Sequence, residues 1–153
     1  MEEFLCRLKS YLLTPEKVDE LIETDTPRQL LGRCIGRFHK NEMEFMLWAY
    51  RIVCMEQLTN QKARDIITGQ LHKETAESIR YVLDQLAEHG KIPEYDRQFF
   101  SEVWTQFMFS GSMLWMYHFP DAEKAAGESK GFDAINQRMV DTALTGKIPQ
   151  NST

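Results

Sequence analysis

Four histidines, three cysteines and several paired carboxylates are the side chains of this 153-residue chain with the richest chemistry, and their spacing argues against most of it. A helical zinc hydrolase needs His-Glu-x-x-His, and a di-iron bundle needs Glu-x-x-His, because only such spacing aims the ligands from one helix face at one ion. Neither spacing occurs around His39, His72, His89 or His118. His39 and His89 instead fall at predicted helix C-termini, where the helix dipole favours partial positive charge. Cys6, Cys34 and Cys54 are odd in number, lack Cys-x-x-Cys spacing and each sit in an apolar-periodic segment. They read as reduced, partly buried thiols of a cytoplasmic chain rather than as a disulfide framework. Glu74 and Glu77 belong to a charged helix face, where solvation is their role, and no glycine-rich phosphate loop is present. The expectation is a protein that is not an enzyme and has no metal site and no cofactor.

Composition narrows the classes further. With 42% hydrophobic and 27% charged residues the chain can build one globular core. The net charge of −5 opposes binding to a phosphate backbone. The densest basic stretch, Arg28, Arg33, Arg37 and Lys40, reads as a solvated face. Glu2 and Glu3 stand where a signal peptide would be basic. The most apolar stretch, 99–119, carries Glu102, Gln106, Ser110 and His118, so a membrane span is not expected.

These side chains must be positioned by helices. Apolar residues recur at helical spacing over 2–13, and Thr14-Pro15 and Thr26-Pro27 each read as N-cap followed by N1, the second with Gln29 at the capping-box position. The third helix is expected to end near His39-Lys40. Asn41 caps a fourth over 42–58, which is apolar nearly all round and therefore predicted to be a central helix. Asn60 opens a long one-sided helix to about His89, ended by Gly90. A sixth starts at Glu94 or Asp96 and stops before Pro120; a polar loop over 121–130 leads to a last helix over 132–144. No strand pattern is present. The fold expected is an all-α antiparallel bundle of about seven helices in one domain. It divides into lead-in helices (1–26), pocket helices (27–95) and dimerisation helices (96–146).

Two of these helices hold most of the methionine and aromatic side chains. Such residues plus a few polar groups can wall an apolar cavity. The predicted walls are Phe45, Met46, Trp48, Ala49, Ile52, Trp104, Phe107, Met108 and Trp115, with Tyr50, Gln106 and His118 as polar contacts. Plain core packing is the competing reading of the same stripe. In the sixth helix Ser110-Gly111-Ser112 permits a close approach by another helix or a ligand. Phe99, Val103 and Leu114 form one apolar face and Phe100, Trp104, Phe107 and Trp115 a second, one for the chain's own core and one for a partner. With Ile135 and Met139 of the last helix, Phe99, Val103, Ser110, Gly111 and Leu114 are the predicted interface of a homodimeric four-helix bundle.

From Ile79 to Leu144 the chain resembles the C-terminal half of tetracycline-repressor-like (TetR-family) regulators. The likeness is carried by the helix end Leu86-Ala87-Glu88-His89-Gly90-Lys91-Ile92, the small-residue helix running into Met113-Leu114-Trp115-Met116-Tyr117-His118-Phe119-Pro120, and the polar segment before a terminal amphipathic helix. The earlier helices fit in order and length. The resemblance implies an effector-binding and dimerisation domain that senses an apolar or amphipathic small molecule. Nothing in the sequence matches the family's three-helix DNA-binding head, so DNA would be read only through an upstream domain. The alternative is a stand-alone helical interaction or adaptor module with a solid core.

Overall fold

Four helix starts have a side chain waiting for them. Thr14 Oγ1 accepts from the Lys17 amide at 3.3 Å, and Pro15 occupies the first helical position. Thr26 and Gln29 form a reciprocal capping box, the Thr26 amide donating to Gln29 Oε1 at 2.9 Å. Asn60 Oδ1 accepts from the Lys62 amide at 3.0 Å, and Asp96 Oδ1 from the Phe99 amide at 2.9 Å. The structure, a computed structural model, describes the backbone of residues 2–35, 43–118 and 122–147. Side chains are described for residues 3, 6, 7, 9–35, 48, 49, 51–111 and 130–147.

Among the described residues the chain is all-helical. The order is α1 (Glu2–Ser10), α2 (Pro15–Leu21), α3 (Pro27–Arg33), α4 (Met43–Glu56), α5 (Gln61–Arg64), a π-helical stretch (Asp65–His72), α6 (Lys73–Glu88), α7 (Arg97–His118) and α8 (Ala122–Thr145). The segment from α5 to α6 is one rod, since the residues at both junctions keep right-handed helical angles. Gly90, at φ 65°, closes it: Lys91 N–H reaches Leu86 O at 2.8 Å and Gly90 N–H reaches Ala87 O at 2.9 Å.

Three expectations change. The segment 121–130 is helical from Ala122 rather than a polar loop, because Ala-Glu-Lys-Ala-Ala favours helix strongly enough to carry Gly127 and Gly131. The third helix stops at Arg33; the predicted end near His39 lies outside the described residues. The helix at 43–56 is not central. Val53 and Cys54 are buried, but Trp48 and Ile52 are 51% and 57% exposed, and Met55 faces solvent too.

The main core joins α2, α3, α6, α7 and α8 through Val18, Leu30, Leu83, Leu86, Trp104 and Val140. The lead-in helix α2 is therefore part of the core. Ion pairs lace its edges: Arg97 holds both Asp84 and Glu94 at 2.7 Å, and Arg28 pairs with Asp141. These partners push the Arg97 pKa upward, the hydrogen bond to Asp84 first.

Tyr95, two residues before α7, reaches across to α8, its hydroxyl donating to Ala143 O at 3.0 Å. Burial pushes its pKa from 10.0 up to about 12, outweighing the opposing pull of Arg97. The folded pKa lies above the unfolded one, so the phenol's contribution to stability is complete below pH 10 and is lost as the pH rises toward 12. We expect Tyr95→Phe to flatten the fall in Tm across that window; identical Tm-versus-pH curves for the two proteins would refute the assignment.

Glycines 32 and 111 have opposite environments. A Cβ on Gly32 meets nothing within 4 Å, whereas one on Gly111 falls 2.3 and 2.5 Å from ring carbons of Phe132. Gly32→Ala should raise stability by about 0.5–1 kcal/mol through helix propensity alone. Gly111→Ala should lower it by about 1–3 kcal/mol, overpacking outweighing the same propensity gain. Denaturant midpoints of both variants check the sign of each.

Candidate functional site

Helices α7 and α8 run antiparallel, with Trp104 opposite Asn136 and with Phe107 and Gly111 opposite Phe132. The Trp104 indole N–H donates to Asn136 Oδ1 at 3.0 Å, and the Phe107 and Phe132 rings stack at 5.6 Å. Each helix turns about 100° per residue. The positions just before Trp104 and Asn136, which are Val103 and Ile135, therefore swing out of the core on the same side of the pair. Phe99 lies one turn before Val103. All three are in solvent, Phe99 at 64%, Val103 at 42% and Ile135 at 43% exposure. The other α7 face goes inward: Trp104 is fully buried, and Phe100 and Phe107 pack against the core.

Between α6 and α7 runs an open groove of about 580 Å³. Ala76, Phe99 and Val103 give it an apolar middle, and Lys73, Glu77, Arg80 and Glu102 a charged rim. One end is closed by a polar pair, His72 Nε2 to Gln106 Oε1 at 2.9 Å, with Phe109 against the imidazole at 5.5 Å. His72 is the last residue of the π-helical stretch. Such stretches are rare and cluster at functional sites.

The structure distributes the predicted residues as follows. Trp104 belongs to the packed core and does not wall a cavity. Phe107 and Met108 are half-buried against it. Trp48 and Ile52 face solvent on α4, with the Arg51 guanidinium 5.7 Å from the Trp48 ring centroid, and Ala49 is half-buried. Gln106 does line the groove. Of the predicted interface, Phe99, Val103, Ser110 and Ile135 are exposed, while Met139 is half-buried. The close approach at Gly111 is made by Phe132 of the same chain, so that glycine serves the α7–α8 contact. The side chains of Phe45, Met46, Tyr50, Leu114, Trp115 and His118 lie outside the described residues.

The sequence did not point to Lys73, Ala76 or Arg80, which read as an ordinary helix face until α7 is laid beside them. Two buried polar atoms, Thr105 Oγ1 and Asn136 Nδ2, have no partner among the described residues. Cys34 is half-buried, and burial pushes its thiol up to about 12, so it is a weak nucleophile at neutral pH. Among the described residues no cluster of three or more His, Cys, Asp or Glu could hold a metal, and no helix is long and apolar enough to cross a membrane.

No protein-family model, no curated protein and no solved structure matches the chain.

Proposed function

We propose that this chain is the dimerising, effector-sensing domain of a TetR-like transcriptional regulator. The observation that carries the reading is the outward set Phe99, Val103 and Ile135 on one side of the α7–α8 hairpin. Large apolar side chains grouped on one face mark an interaction surface. Two such hairpins related by a two-fold axis bury the same patch against itself and make a four-helix bundle. An amphipathic small molecule that binds one arrangement of the bundle better than another would shift the population of the dimer. DNA would be contacted by a domain outside these 153 residues, in keeping with the net charge of −5.

A second reading, a helical adaptor, draws support from the solid core around Trp104 and from the exposed α4 stripe of Trp48, Ile52 and Met55. Sedimentation equilibrium over a micromolar concentration range tests the first reading. A dimer whose stability responds to amphipathic small molecules is expected; a concentration-independent monomer would sink it, and a dimer indifferent to every such molecule favours the adaptor.

A further inference from the structure

The α6–α7 groove and the α7–α8 outer face share two residues, Phe99 and Val103. We propose that this groove is the effector site, that it takes a medium-chain carboxylate, and that the second copy of the chain completes it. The inference deepens the effector reading above and rests on its dimer.

The groove has the size and grading of a ligand site. Its volume, about 580 Å³, falls within the range of about 300–1,000 Å³ common to small-molecule pockets. From Gln98 to Gln106 it spans about 12 Å of helix at 1.5 Å per residue. Ala76, Phe99 and Val103 offer an apolar track along that length, and the His72–Gln106 pair stops it.

Arg80 supplies the head-group contact. Its bond to Asp84, at 3.4 Å, uses Nε alone, and Asp84 is held more closely by Arg97 at 2.7 Å. The terminal nitrogens of a guanidinium match a carboxylate in forked geometry. Lys73 is the weaker candidate, since Glu77 stands 3.8 Å from it. Glu102 already accepts from Gln98 at 3.3 Å. The charged end is thus the Arg80 end, and the tail runs toward His72.

The groove is open on one side, so a tail lying in it keeps one flank in water. A second copy seated on Phe99, Val103 and Ile135 roofs that flank, and removing it from water is favourable. Linkage then requires that the ligand tighten the dimer by the same factor by which the dimer tightens the ligand.

The test uses the full chain with two probes of equal tail and opposite head, dodecanoate and dodecyltrimethylammonium, below their micellar concentrations. Calorimetry reads binding, and sedimentation equilibrium reads dimer affinity with and without probe. We expect dodecanoate to bind at least tenfold tighter than the ammonium probe and to strengthen the dimer. Arg80→Gln should abolish the preference and Arg80→Lys should recover part of it, with far-UV circular dichroism unchanged in both. Equal binding of the two probes, or a dodecanoate affinity unmoved by Arg80→Gln, overturns the site and leaves the dimer standing. Dodecanoate that drives the dimer apart overturns the shared roof. A chain that is monomeric under all conditions overturns the dimer reading and the shared site with it.

Discussion

Val103→Asp is expected to yield a folded monomer at concentrations where the parent chain forms the proposed dimer. Val103 is 42% exposed in the single chain, so an aspartate there meets water and the fold should tolerate it. In the proposed bundle the same position is covered. Full burial of a valine or isoleucine contributes about 1.5–3 kcal/mol, and a two-fold axis counts every substitution twice. The carboxylate adds the cost of taking an unpaired charge out of water. Dimer affinity should therefore fall a hundredfold or more, with Ile135→Asp behaving alike. Paired sedimentation and circular dichroism runs decide the matter. An unchanged dimer would place the association elsewhere on the surface, with the α4 stripe of Trp48, Ile52 and Met55 as the next place to substitute.

Trp104→Ala should bring the largest loss of stability of any single change. The indole is fully buried at the junction of α7 and α8 with the inner helices, and its N–H satisfies the side-chain carbonyl of Asn136. Removing a buried aromatic costs about 3–5 kcal/mol through lost transfer and the cavity left behind. Orphaning the Asn136 carbonyl adds about 1–3 kcal/mol. Set against a total of about 5–15 kcal/mol for a domain, this is enough to unfold a marginal one, and a Tm drop of about 10–25 °C follows for this size. Trp104→Phe, which keeps a ring but loses the hydrogen bond and part of the indole's volume, should cost markedly less. Thermal melts that place the two variants within a degree of each other would show that the cavity is not the dominant effect.

Much of the architecture was legible in the residues. Thr14-Pro15, Thr26-Pro27 with Gln29, and Asn60 are side-chain caps with one main structural outcome, and each opens a helix as read. The two faces of α7 were also separable, because Phe99 and Val103 share one side of a helical wheel and Phe100, Trp104 and Phe107 another. Periodicity did not reveal how many neighbours a helix has. The stretch 43–56 is apolar on nearly every side, which suggested a central position, yet its Trp48–Ile52–Met55 side is in solvent. Gly111 illustrates a related limit: a small residue announces a close approach but not whose side chain makes it, and here it is Phe132. The groove was hidden for a different reason. Arg80, Lys73 and Ala76 acquire meaning only from α7, more than fifteen residues further on, lying beside them.

The π-helical turn at 65–72 has a consequence for the rod that contains it. A hydrogen-bond ladder that skips to the fifth residue is wound more loosely, with more residues per turn than the α-helix on either side. The half that contacts α4 and the half that walls the groove are thus out of register with each other, and one helical wheel cannot describe both. Shortening the stretch at Gly69, whose neighbourhood is open, would let ordinary helix run through. It would also screw Lys73, Ala76 and Arg80 around to a different azimuth, keeping all three side chains and dismantling the proposed binding surface.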